Sequence, residues 1–136
     1  MRTVTGLVLS FCLASPAWSV EIDGRIDPQE WAGAQYVDDF RLTQPLSRAP
    51  APYRTEAWIL STPQGLAVAF RNTQPASVPR TRDRSQRDDM GAVDRVNLMV
   101  DYDGDGRTGY DFTVSLGGGI TDEVITSENS FENDWD

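Results

Sequence analysis

An all-β chain folded as an antiparallel β-sandwich is what this sequence predicts, and three observations carry the expectation. Two runs in the last third alternate with period two: Val96, Leu98 and Val100 against Asn97 and Met99, then Phe112, Val114 and Leu116 against Asp111, Thr113 and Ser115. Two β-rich runs in the middle, Thr55 to Leu60 and Leu66 to Arg71, are separated only by Ser-Thr-Pro-Gln-Gly and read as a hairpin. Helical periodicity is confined to one short turn near the start, so about six or seven strands and almost no helix are expected.

Taken in order, residues 1–19 read as a secretory leader. Met1-Arg2-Thr3 supplies a positive start, Val4 to Ala14 an apolar run and Ala17-Trp18-Ser19 a small-x-small cleavage site. That run is far shorter than the roughly 20 residues a bilayer span needs, so cleavage near Val20 is expected and Cys12 departs with the leader. Residues 20–136 then form one exported domain. Glu21 to Arg25 reads as a short strand. Asp27 before Pro28, with Glu30 three places on, is a capping pattern that opens one helical turn through Trp31 and Ala34. Trp31, inside that apolar turn, is expected to plug the core. Tyr36 to Thr43 is a second expected strand, ended by the proline-rich connector QPLSRAPAPY.

In the hairpin that follows, Leu66, Val68 and Phe70 share one face and are expected to be core. Asn72 to Ala92 is polar and without apolar period, hence a loop of about twenty residues, mobile or functional. The strands on either side of residues 101–112 come next. Gly117-Gly118-Gly119 then turns the chain into a last strand, Ile120 to Thr126.

Composition removes several functions. Without the leader there is no cysteine and no histidine, which excludes disulfides, thiolate nucleophiles, histidine bases and His/Cys zinc sites. Carboxylates and arginines carry whatever ionic chemistry there is. Twenty-one acids against twelve arginines give a net charge of −9, near −10 once Arg2 leaves. Nucleic acid and anionic lipid are repelled by such a surface, and no nucleic-acid partner is expected.

Three groups of residues are candidates for chemistry. In DYDGDGRTGYDF, residues 101–112, Asp101, Asp103 and Asp105 are two apart and converge if the chain turns at Gly106, the oxygen-rich arrangement that suits calcium. The flanks are strands and position twelve is Phe112, so this is not an EF-hand. Asp-Gly pairs are equally ordinary hairpin-turn residues, with Arg107 partly neutralising the cluster, and both readings stay open. Trp58, with Glu56 and Leu60 on its face of the strand, is a candidate to stack a sugar ring. Arg80, Arg82, Arg84 and Arg87 alternate along the polar loop, either to hold an anionic ligand or to neutralise Asp83, Asp88 and Asp89.

Further stretches carry a resemblance. They are Ile22-Asp23-Gly24-Arg25-Ile26-Asp27 followed by Trp31, Gly65-Leu66-Ala67-Val68, Arg87-Asp88, Asp94-Arg95-Val96, and Asp101 to Phe112 with Asp134-Trp135-Asp136 at the end. In order and spacing they resemble a carbohydrate-binding module of the family 9 type, over about residues 21–136. More narrowly, they are similar to the exported N-terminal domain of bacterial outer-membrane proteins in which a β-barrel follows. The resemblance implies a β-sandwich, non-catalytic binding of an oligo- or polysaccharide through stacked aromatics, and calcium ions that brace loops. Beside it, Trp58, Trp135 and Arg87 are the candidate carbohydrate-binding residues and Asp101, Asp103 and Asp105 the candidate calcium ligands.

Two departures from the family stand out. An aromatic that the family places ahead of the strand matching Asp94-Arg95-Val96 is replaced by Asp88-Asp89-Met90-Gly91-Ala92. The similar proteins also continue past Asp136 with further strands, so an incomplete sandwich with an unpaired sheet edge is expected. Three roles follow. The first is a sugar-binding module in the periplasm, the outer membrane or the cell surface. The second is a structural or gating domain packing on the outer-membrane barrel of a longer parent. The third, ranked last because no enzyme is expected, is a piece of a glycoside hydrolase, whose paired carboxylates about 5 to 10 Å apart sequence spacing does not identify.

Overall fold

A computed structural model describes residues 20–84, 86–87, 91–127 and 130–132. The expected leader, Trp135, and Asp88 and Asp89 of the polar loop lie outside these. The fold is all-β, as expected, with no helix among the described residues. Strands β1 (Gln35–Val37), β2 (Arg54–Thr62) and β3 (Gly65–Thr73) form one sheet in that order, and β4 (Arg95–Val100), β5 (Gly109–Ser115), β6 (Ile120–Ser127) and β7 (Ser130–Glu132) form a second. Both sheets are antiparallel, the kind from which a sandwich is assembled. The chain divides into two compact units, Met1–Asn72 and Thr73–Asp136.

In the first unit the expected strand over Glu21–Arg25 does not form. The Asp23 carboxylate accepts the Arg25 N–H at 2.8 Å, and Gly24 takes φ 80°. That local side-chain turn competes with the extended conformation. The turn after it does form: Asp27 accepts the Gln29 N–H through its side chain and the Trp31 N–H through its carbonyl, at 2.8 and 3.0 Å. Trp31 is seated by this turn and is 6% exposed, the core plug the sequence predicts. The second expected strand shrinks to Gln35–Val37 because Asp38 and Asp39, both poor strand formers, follow at once.

The hairpin is longer than the sequence suggests and turns tightly over Pro63 and Gln64. Thr62 closes it, its hydroxyl accepting the Gln64 N–H at 3.2 Å and donating to the Gly65 carbonyl at 2.9 Å. Its expected core face is corrected: Leu66 is 50% exposed and Val68 and Phe70 are only half-buried, whereas Ala57 and Ala67 are buried. Strand β2 is central in a three-stranded sheet, so burial concentrates at its middle rather than along one face of β3.

The second unit is a meander. Its register aligns Val96 with Val114 and Ile120, Leu98 with Phe112, and Val100 with Tyr110 and Val124 on one face. The other face aligns Asn97 with Thr113 and Thr121, and Met99 with Asp111. Unexpectedly, the polar face holds the buried residues Asp111, Thr113, Ser115 and Thr121, while Val114 and Ile120 are about half exposed. The polar face is tenable because most of its groups are paired. The Asn97 amide donates to Asp111 and Thr113, and the Ser115 hydroxyl accepts the Gly119 N–H at 2.8 Å. The fourth strand, β7, was not foreseen; it pairs with β6 across an irregular register near Ser127.

The polar loop before β4 is pinned to the sheet at several points. The Thr81 N–H donates to the Asp94 carboxylate at 2.9 Å, and the Leu116 N–H to the Asp94 carbonyl at 2.8 Å. Gly117 lies directly against the Arg82 and Asp83 carbonyls.

Candidate functional site

The richest surface lies on one face of the three-stranded sheet. The β1–β2 register sets Tyr36 opposite Trp58, and the two rings meet at 5.3 Å between centroids, tilted by 56°. Cross-strand aromatic neighbours of this kind reinforce the sheet while leaving ring edges available. From β3, the Arg71 guanidinium lies over the Trp58 ring, 4.9 Å from its centroid. Period two along β2 brings Arg54 and Glu56 to the same face.

These polar groups form a closed set. Glu56, 7% exposed, accepts a hydrogen bond from the Tyr36 hydroxyl at 2.8 Å and one from the Arg54 guanidinium at 2.9 Å. Arg54 also donates to the Tyr36 oxygen at 3.2 Å, and Asp38 lies 3.4 Å from that hydroxyl. Donation to Glu56 raises the Tyr36 pKa above its usual 10.0, against the opposing effect of Arg54. The hydrogen bond to Tyr36, then the charge of Glu56, raise the pKa of Arg54 above its usual value. Tyr36 therefore stays neutral and Arg54 charged at neutral pH. Tyr36 and the two arginines are exposed and Trp58 is half-buried, so the cluster offers aromatic surface bordered by guanidinium donors, with the Glu56 carboxylate buried among them.

The sequence candidates are distributed unevenly. Trp58 sits in this cluster, while Tyr36, Arg54 and Arg71 were not singled out. The spacing Arg54-x-Glu56-x-Trp58 places three of the residues on one face; the partners from β1 and β3 depend on register, which no local pattern carries. Arg87 belongs to the second unit, where it donates to Asp122 of β6 at 2.6 Å, and Arg80 donates to the Gln74 carbonyl at 3.3 Å. Arg87 ties the loop to β6, while the Arg80 bond is internal to the loop. Trp135 is outside the described residues.

The acidic loop is organised around one carboxylate. Asp101 accepts the N–H groups of Asp103 and Gly104 on one oxygen, at 3.2 and 2.7 Å, and that of Gly106 on the other at 2.8 Å. Backbone donation, from Gly106 above all, lowers its pKa below 3.8. Asp105 accepts the Arg107 N–H at 2.8 Å. Gly104 and Gly106 adopt φ near 66° and 69°, the conformation that lets the amides point inward. Among the described residues no three carboxylates stand together, and the Asp101 carboxylate is held by the loop's own amides.

A shallow cavity of about 280 Å³ lies elsewhere in the first unit, lined by Val20, Ile22, Thr62, Gln64 and Leu66 among others, with no ionisable group. Compared with protein families, with curated proteins and with solved structures, the chain finds no match in any of the three.

Proposed function

We propose that this chain is an exported, non-catalytic carbohydrate-binding module, similar to the family 9 type, that takes an oligo- or polysaccharide on the Tyr36–Trp58 face of its three-stranded sheet. One observation carries the reading: two aromatic rings in contact, bordered on the same face by Arg54, Glu56 and Arg71. A pyranose offers the matching surface, an apolar C–H face surrounded by hydroxyls that need both donors and acceptors. The test is affinity electrophoresis of the full chain through gels containing soluble glycans. Retardation by at least one glycan, abolished in Trp58→Ala with the melting transition retained, is the expected result. Migration unaffected by every glycan of a broad panel would remove the proposal.

A second reading has its own observation. The apolar face of the four-stranded sheet leaves Phe112, Val114 and Ile120 between 39% and 52% exposed. A structural domain that packs on the outer-membrane barrel of a longer parent would cover such a face. Failure of the glycan test moves weight to this reading.

Calcium bracing at Asp101, Asp103 and Asp105 is a separate proposal. It requires Asp103 and Asp105 to turn toward Asp101, whose carboxylate the backbone already holds. A thermal melt in about 1 mM calcium and again in excess chelator decides it, because a cation that prefers the native state raises its melting temperature. A rise abolished in Asp103→Asn supports the brace. Identical melts leave the loop a hairpin tip.

A further inference from the structure

We infer that the saccharide taken on this face is acidic, with Arg71 gripping a sugar carboxylate such as that of a uronate. The inference rests on the carbohydrate-binding reading and adds the class of sugar.

The charges on the face are unequal in their engagement. Arg54 is committed to Glu56 and Tyr36, at 2.9 and 3.2 Å. The Arg71 side chain makes no hydrogen bond and no ion pair among the described residues; its guanidinium lies over the Trp58 ring at 4.9 Å. This is notable in a chain of net charge −9, where acids outnumber arginines nearly two to one. Stacking on the indole positions the guanidinium and restricts its side chain while leaving N–H donors at its rim. Conformational freedom that would otherwise be lost on binding is already given up.

Two physical arguments select a carboxylate over a neutral sugar. A ring settling against Trp58 and Tyr36 strips water from Arg71, and a cation desolvated without an opposite charge is unfavourable. A neutral hydroxyl compensates this poorly. A planar carboxylate accepts two parallel N–H bonds from the guanidinium fork and supplies the missing charge. The acidic surface, which repels a polyanion at long range, makes non-specific attraction an inadequate source of such binding.

The test runs the full chain through three gels of otherwise identical composition, containing polygalacturonate, a neutral glucan, or a sulfated glycan. Retardation by polygalacturonate is expected, weakening as salt rises because it includes an ion pair. Arg71→Gln should weaken it about tenfold or more, and Arg71→Lys, which keeps the charge but not the fork, should restore it only partly. Circular dichroism and a melt confirm that both variants are folded. Retardation by the neutral glucan alone, lost in Trp58→Ala, overturns the acidic specificity and leaves carbohydrate binding standing. Stronger retardation by the sulfated glycan overturns the choice of carboxylate, and polygalacturonate binding indifferent to Arg71→Gln overturns its role. No retardation in any gel defeats this inference, and no retardation across the broad panel as well defeats the reading on which it rests.

Discussion

Trp31→Ala is expected to lower stability by about 3 to 5 kcal/mol, the range for removing a large buried aromatic. Small domains have only about 5 to 15 kcal/mol in total, so a variant losing this much would melt far below the parent or not fold. The argument rests on burial: Trp31 is 6% exposed, and buried apolar side chains are few among the described residues. Its indole Nε1 is buried without a partner among the described residues, so the nitrogen contributes nothing that a benzene ring would forfeit. Trp31→Phe should accordingly lie much closer to the parent than to Trp31→Ala, relief of an unsatisfied donor offsetting part of the lost volume. Urea unfolding followed by circular dichroism measures both. An alanine variant within about 1 kcal/mol of the parent would show that Trp31 is not the plug of its unit.

Gly117→Ala is the second change with a large expected effect, about 1 to 3 kcal/mol for an atom forced into occupied space. A Cβ at this position would overlap the Asp83 carbonyl and touch that of Arg82. Both obstacles are backbone, so no side-chain rotation relieves the clash; the loop or the β5–β6 turn must move. The loop contains Arg80, Arg82, Arg84 and Arg87, which makes trypsin a direct probe of its release. Limited proteolysis should cut Gly117→Ala in this loop much faster than the parent. Gly118→Ala is the control: its φ is 87° and, among the described residues, nothing lies within 4 Å of an added Cβ. It should cost about 1 kcal/mol through backbone strain and leave the loop as protected as before. Equal cutting of all three proteins would contradict the pinning of the loop at Gly117.

How far these sites were legible differs from residue to residue. The strands around residues 101–112 announced themselves, because period two in Val96 to Val100 and Phe112 to Leu116 is a local property of consecutive residues. The Asp27 cap was readable for the same reason. Glu21–Arg25 misled because the Asp23 side chain competes for a backbone N–H that a strand would use. Strand β7 escaped notice because three residues, Ser130–Glu132, carry no period; they are strand only through pairing with β6. In the candidate site, Trp58 and Glu56 stood out from alternation within β2, but Tyr36 and Arg71 lie 22 and 13 positions away and meet Trp58 through pairing alone.

By itself, then, the sequence determined the all-β class, the hairpin, the acidic turn and the exclusion of histidine chemistry, all of which follow from residue type and near-neighbour spacing. Only the tertiary structure decided that the polar face of β5 is buried while its apolar face is open. It alone closed Asp101 onto its own loop amides and laid Arg71 over Trp58. Those outcomes depend on strand register and on which hydrogen-bond partners the folded chain brings within about 3 Å, a distance that sequence separation does not encode.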